Sequence, residues 1–154
     1  MAEPNPPAGP EGVAGPQAAA GPAPVRPLGS GPGRVLIAVY LLFAIAATSR
    51  AGYQLAVKFS TAPVAYLLSA AAAVIYILAT VGLIRGGSGG RRTALVCCTV
   101  EFLGVLAVGG LSLLDPELFP DDTVWSGFGQ GYGYVPLVLP LLGLLWLRRT
   151  RPRG

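Results

Sequence analysis

A chain of 154 residues has room for one domain, and 53% of this one is apolar while only 12% is charged, about half the usual charged share and too little to clothe a soluble fold. It contains no histidine, which removes the commonest general base and metal ligand, and its two cysteines, Cys97 and Cys98, are adjacent within an apolar run, a poor arrangement for a disulfide framework or a zinc site. The net charge of +4 falls in blocks that abut the ends of apolar runs, a pattern of membrane topology that gives no ground for expecting nucleic-acid binding.

Residues 1–33 are almost entirely Pro, Gly and Ala, with Glu3, Glu11 and Arg26 as the only charges. Such a segment cannot bury enough surface to offset its ordering entropy and is read as a disordered cytoplasmic tail. Four apolar segments follow, with spans expected at about 34–56, 62–84, 93–114 and 128–147. The middle two are long enough to cross a bilayer, which takes roughly 20 residues. The first reaches that length only if its helix continues through Arg50 into AGYQLAV. The fourth has a short clean core, Val135 to Leu147, and must recruit the preceding SGFGQGYGY stretch. There, Gly127 and Gly131 stand at a G-x-x-x-G spacing suited to helix packing, as do Gly129 and Gly133. An alternative is that the glycines break the helix and Pro136 opens a short inner half. Pro140 is expected to bend the last helix.

The loops set the orientation. Arg26 and Arg34, then Arg85, Arg91 and Arg92, then Arg148, Arg149, Arg151 and Arg153 place nine basic residues on one side of a four-span arrangement. Arg50 and Lys58 place two on the other. The positive-inside rule therefore puts both termini in the cytoplasm and the acidic loop of Asp115, Glu117, Asp121 and Asp122 outside. Trp125, Phe128, Tyr132 and Tyr134 are expected to line the outer interface and Trp146 the inner one. The basic tail, residues 150–154 with Arg148 and Arg149 before it, is expected to contact anionic headgroups. A rival reading takes Ala44-Ile45-Ala46 as a signal-cleavage site, which would leave three spans, but the leader would be unusually long.

The stretches RAGYQLAVKFSTAPVAYLLSA (50–70), LSLLDPELFPDDTVWS (111–126) and GYGYVPLVLPLLGLLWLRR (131–149) resemble a group of small uncharacterised integral membrane proteins of actinobacteria. The resemblance covers residues 34–149 and implies a membrane protein with no assigned activity, so it transfers no catalytic residue. Small multidrug exporters have a similar size, but they carry their essential Glu in the first helix, where this chain has no acid.

Glu101 is the one acid within an apolar run, about 12 Å into a hydrocarbon core about 30 Å thick. A carboxyl at that depth must face protein and find a partner. At 3.6 residues per turn it shares a face with Ala94, Cys97, Cys98, Gly104, Val105, Val108 and Ser112, opposite Leu95, Phe102, Leu106 and Leu113. Small residues allow close helix approach, so Gly104 and Ser112 are read as helix-packing positions beside Gly127 and Gly131. In the second span Tyr66, Ser69, Ala73, Tyr76 and Thr80 share a face, and Tyr76 falls at the depth of Glu101. A Glu101–Tyr76 hydrogen bond is expected, with Tyr40 as a second candidate at that level. Arg50 is expected to reach the outer interface or the acidic loop.

The sequence thus predicts an all-α membrane protein, multi-pass in the cell membrane, with four antiparallel transmembrane helices over 34–149. No cofactor, metal or catalytic residue is expected. The expected role is a non-enzymatic structural or accessory component that packs against itself or a membrane protein partner. The alternative is a small proton-linked transporter or transporter subunit using Glu101.

Overall fold

The computed structural model describes residues 1 and 31–150. Residues 2–30 of the expected tail therefore lie outside the described residues, as do Arg151 and Arg153. Among the described residues the protein is helical without strands. Helix α1 runs from Pro32 to Val57, α2 from Pro63 to Arg85, α3 from Gly87 to Leu114 and α4 from Val135 to Arg149. Short 3₁₀ turns at Pro116–Leu118 and Ser126–Tyr132 occupy the segment between α3 and α4.

Helices are the natural solution because a backbone in hydrocarbon must satisfy its own N–H and C=O groups. Proline stands in the first turn of α1, α2 and α4, where its missing N–H has no intrahelical partner to lose. Helices α1, α2 and α3 are long and apolar enough to cross a membrane. Helix α1 passes through Arg50 to reach 26 residues, or about 39 Å.

Two expected boundaries are corrected. The Arg85–Arg92 loop shrinks to Gly86, because α3 begins at Gly87 and carries Arg91 and Arg92 in its first turns. The fourth segment does not extend straight back over 128–147: the Ser126–Tyr132 turn and α4 are bent by 98°. Gly127, Phe128 and Gly129 all have positive φ, and so do Gly133 and Tyr134, which no α-helix accommodates. Helix α4 alone is 15 residues, about 22 Å, so a fourth crossing exists only if the bent pair is counted as one span. Pro140 sits inside α4 without interrupting it.

The membrane-length stretches of the helices are largely apolar on every side, and their inward faces are distinguished by many small residues together with a few buried polar ones, among them Gln54, Ser69, Thr80 and Glu101. The interior of α1 is Leu36, Tyr40, Ala44, Ala47 and Ala51, and that of α2 includes Ala65, Ser69, Ala72, Ala73 and Ala79. Outside stand Leu42, Ile45, Val74, Leu103 and Leu145, all exposed. Small residues inside bring the helix axes close, while bulky ones suit lipid. Each long helix packs on its chain neighbour, and α4 also touches α1. The tightest approach joins α2 and α3 beside their one-residue turn: a Cβ on Gly82 would stand 2.8 Å from the Gly90 carbonyl oxygen, and one on Gly90 would stand 2.5 Å from that of Gly82.

Substituting Gly82→Val should therefore force α2 and α3 apart at that end. Overpacking of this kind costs about 1–3 kcal/mol, and the thermal midpoint in detergent is expected to fall. An unchanged midpoint would contradict the close approach.

Candidate functional site

Glu101 is the fifteenth of the 28 residues of α3, at the middle of the helix. Its side chain is fully buried. Of the face assigned to it by helical spacing, Ala94, Cys97, Cys98, Val105 and Val108 are buried, while Gly104 and Ser112 are half-buried. On the opposite face Leu106 and Leu113 are exposed, and Leu95 and Phe102 are half-buried. In α2, Tyr66, Ser69, Ala73, Tyr76 and Thr80 are all buried.

The partner of Glu101 comes from α1. The Tyr40 hydroxyl donates to Glu101 Oε2 at 2.9 Å and lies 3.2 Å from Cys98 Sγ. With its one proton committed to the carboxyl, the phenol is left as acceptor for the thiol. A chain of Cys98, Tyr40 and Glu101 results, in which the thiol donates to the phenol oxygen and the phenol donates to one carboxyl oxygen. Helix α4 closes over it at Gly143, where a Cβ would stand 2.8 Å from Cys98 Sγ and 3.5 Å from the Tyr40 hydroxyl.

The expected Glu101–Tyr76 pairing is met only in part: the two groups face each other without reaching hydrogen-bond geometry. Tyr76 is brought to the site: its ring packs against Tyr40 at 6.2 Å and against Phe43 at 5.6 Å between centroids. Its hydroxyl lies within electrostatic reach of Glu101 and of the Trp125 indole. Yet the Tyr76 hydroxyl, Glu101 Oε1 and Trp125 Nε1 are each buried without a hydrogen-bond partner. Depth along the helices placed both tyrosines at the right level, but the direction of approach around α3 selected Tyr40.

Trp125 is a correction. In place of an interfacial position, it is 4% exposed. Its ring lies on Gly104, where a Cβ would meet it at 2.8 Å. Gly104 therefore receives an aromatic ring from the 116–134 segment, not another helix. A compact hydroxyl network aims the ring. The Thr123 hydroxyl accepts from the N–H groups of Trp125 and Ser126, both at 3.0 Å, and the Ser126 hydroxyl accepts from the Thr123 N–H at 2.9 Å. Ser112 ties the same segment to α3, accepting from the Gly127 N–H at 2.9 Å while donating to the Gly109 carbonyl at 2.9 Å. The Gly127/Gly131 spacing does not form one helical face: Gly127 has φ 55°, and a Cβ on Gly131 would meet nothing within 4 Å in this chain.

Arg50 completes the fastening. Its guanidinium donates to the Tyr132 hydroxyl at 2.8 Å and to the Asp122 carbonyl at 2.9 Å. The Tyr66 hydroxyl donates to Asp121 at 2.9 Å. Helices α1, α2 and α3 thus each hold the segment that carries Trp125.

Sequence reasoning missed Cys98 as a partner, Trp125 as a cover and Gly143 as the gap that admits them. Cys98 carried a readable signal, since it lies three residues before Glu101 on the same helical face. Among the described residues no three His, Cys, Asp or Glu side chains converge to hold a metal, and both cysteines are free. Chemically, the arrangement can hold a buried carboxyl in place through a phenol that itself accepts from a thiol, leaving the second carboxyl oxygen uncommitted. Compared with known proteins, the chain matches no family model, no curated protein and no solved structure.

The two tyrosines should separate on substitution. Tyr40→Phe removes the donor to Glu101 and the acceptor for Cys98, an expected loss of about 1–2 kcal/mol. Tyr76→Phe removes a hydroxyl without a hydrogen bond and should leave the thermal midpoint in detergent nearly unchanged. Equal losses for the two variants would contradict the assignment.

Proposed function

We propose that this chain is a non-enzymatic integral membrane component. Its four segments cross the membrane antiparallel, both termini lie in the cytoplasm, and it acts through helix packing with itself or a membrane protein partner. The observation carrying this reading is the complete enclosure of Glu101: the one acid of the apolar helices is fully buried and bonded to Tyr40 within the fold. A carboxyl used in this way joins α1 to α3, a contribution of about 1 kcal/mol for an interhelical hydrogen bond in a bilayer. The exposed Leu, Ile and Val of all four helices offer surface to lipid or to another helix.

Orientation in this proposal follows the nine-to-two distribution of basic residues. Arg148 and Arg149, exposed at the end of α4, would lie among anionic headgroups, with Arg151 and Arg153 beyond the described residues. An actinobacterial origin is part of the proposal, carried by the resemblance of residues 34–149.

One observation favours a second reading, a small proton-linked transporter or subunit. Glu101 Oε1, the Tyr76 hydroxyl and the Trp125 indole N–H are buried, unbonded and close together. A proton-handling site would need such uncommitted groups.

Two experiments test these readings. Reporter fusions at Ser88 and at the C-terminus should report the cytoplasm, and a fusion at Pro120 the opposite side; the reverse pattern overturns the orientation. In proteoliposomes, Glu101→Gln should leave the fold and any pH-dependent flux unchanged while Glu101→Leu lowers the thermal midpoint. Loss of flux in folded Glu101→Gln protein would instead establish the transport reading.

A further inference from the structure

A cavity of about 530 Å³ opens beside the acidic segment, away from Glu101, where α1 and α3 approach their C-terminal ends. Its wall brings one cation and two anions together: Arg50 from α1, and Asp121 and Asp122 from the loop, with Ser126 and Gln130 adding neutral polar groups. This volume falls in the range of small-molecule sites, about 300–1,000 Å³.

The fold does not exhaust these charges. Arg50 has five N–H donors, and its hydrogen bonds within the fold go to Tyr132 and to the Asp122 backbone. Asp121 receives one bond on each oxygen, from the Tyr66 hydroxyl and from the Asp122 N–H. The Asp122 carboxylate takes no hydrogen bond from another described residue, and the residue is exposed. An oxyanion alone would meet two carboxylates, and an ammonium alone would meet the guanidinium. A ligand that carries both satisfies both, with its oxyanion on Arg50 and its N–H donors on Asp122 and Asp121.

Position narrows the class further. Arg50 lies about 27 Å along α1 from Pro32, at the far headgroup level of a core about 30 Å thick. The cavity rim includes Leu113, which is 62% exposed and offers apolar surface beside the polar pocket. We propose that this cavity binds the ammonium–phosphate headgroup of phosphatidylethanolamine, the phosphate on Arg50 and the primary ammonium on Asp122 and Asp121. The inference rests on the helices crossing a membrane. It depends neither on their orientation nor on the role of Glu101, so those readings can fail while it stands.

The test uses full-length protein purified in detergent and presented with equal phosphatidylethanolamine and phosphatidylcholine, the retained lipid being read by native mass spectrometry. The choline headgroup keeps the phosphate but has no N–H to donate. Preference for phosphatidylethanolamine is expected at about tenfold, the equivalent of ~1.4 kcal/mol. Asp122→Asn should bring the ratio close to one, while keeping the backbone carbonyl that Arg50 binds and leaving the lipid-free thermal midpoint unchanged. Equal retention by the unsubstituted protein, or a preference that survives Asp122→Asn, would overturn the proposal. Adding millimolar phosphoethanolamine distinguishes the sources: displacement of the lipid identifies the headgroup compound as sufficient, and retention identifies the lipid.

Discussion

A carboxyl placed halfway along a membrane-length helix constrains everything around it. Left ionised or unbonded in hydrocarbon, Glu101 would oppose insertion by several kcal/mol, so the bundle must supply protein on every side. The Tyr40 hydroxyl supplies the bond at 2.9 Å, which fixes the rotation of α1 against α3. Gly143 then lets α4 lie against the Cys98–Tyr40 pair, and Gly104 lets Trp125 cover the next turn of α3. Two glycines and one phenol thus let the buried apolar cluster close around the carboxyl.

The packing follows from the absence of a hydrophobic drive between helices in lipid. Burying leucine gains little there, because the acyl chains are equally apolar. Close contact between backbones gains dispersion energy, and alanine and glycine permit it. The interior is accordingly built from alanines and from three buried tyrosines, Tyr40, Tyr66 and Tyr76. Tyr66 donates to the acidic segment and Tyr40 to Glu101, while Tyr76 contributes its ring.

The segment between α3 and α4 converts an acidic loop into a fitted cover. Thr123 and Ser126 shape its turn, Ser112 and Arg50 hold it, and Trp125 and Phe128 lie on Gly104 and Gly109 of α3. The residues spent on that cover are unavailable to lengthen α4, so the last helix stays at 15 residues. One strip of sequence cannot be both a straight helical extension and an aromatic cover. The run of positive φ from Gly127 to Gly129 shows which it became.

Much of this was legible from residue spacing alone. The three long helices, the continuation of α1 through Arg50 and the inward faces of α2 and α3 follow from apolar length and a period of 3.6, properties each segment carries by itself. The grouping of Glu101 with Tyr40 and Tyr76 also followed, because depth along a helix is set by counting residues. What spacing could not provide was direction around the axis and the path of the glycine-rich segment. Whether Tyr40 or Tyr76 donates to Glu101 depends on how α1 and α2 lean against α3. Whether Trp125 faces lipid or protein depends on a turn that glycine permits without dictating. Both are decided by contacts between parts of the chain far apart in sequence: Tyr40 meets Glu101 across 61 residues and Arg50 meets Tyr132 across 82. Length and periodicity are local and could be read from the chain; azimuth and loop path belong to the packed whole.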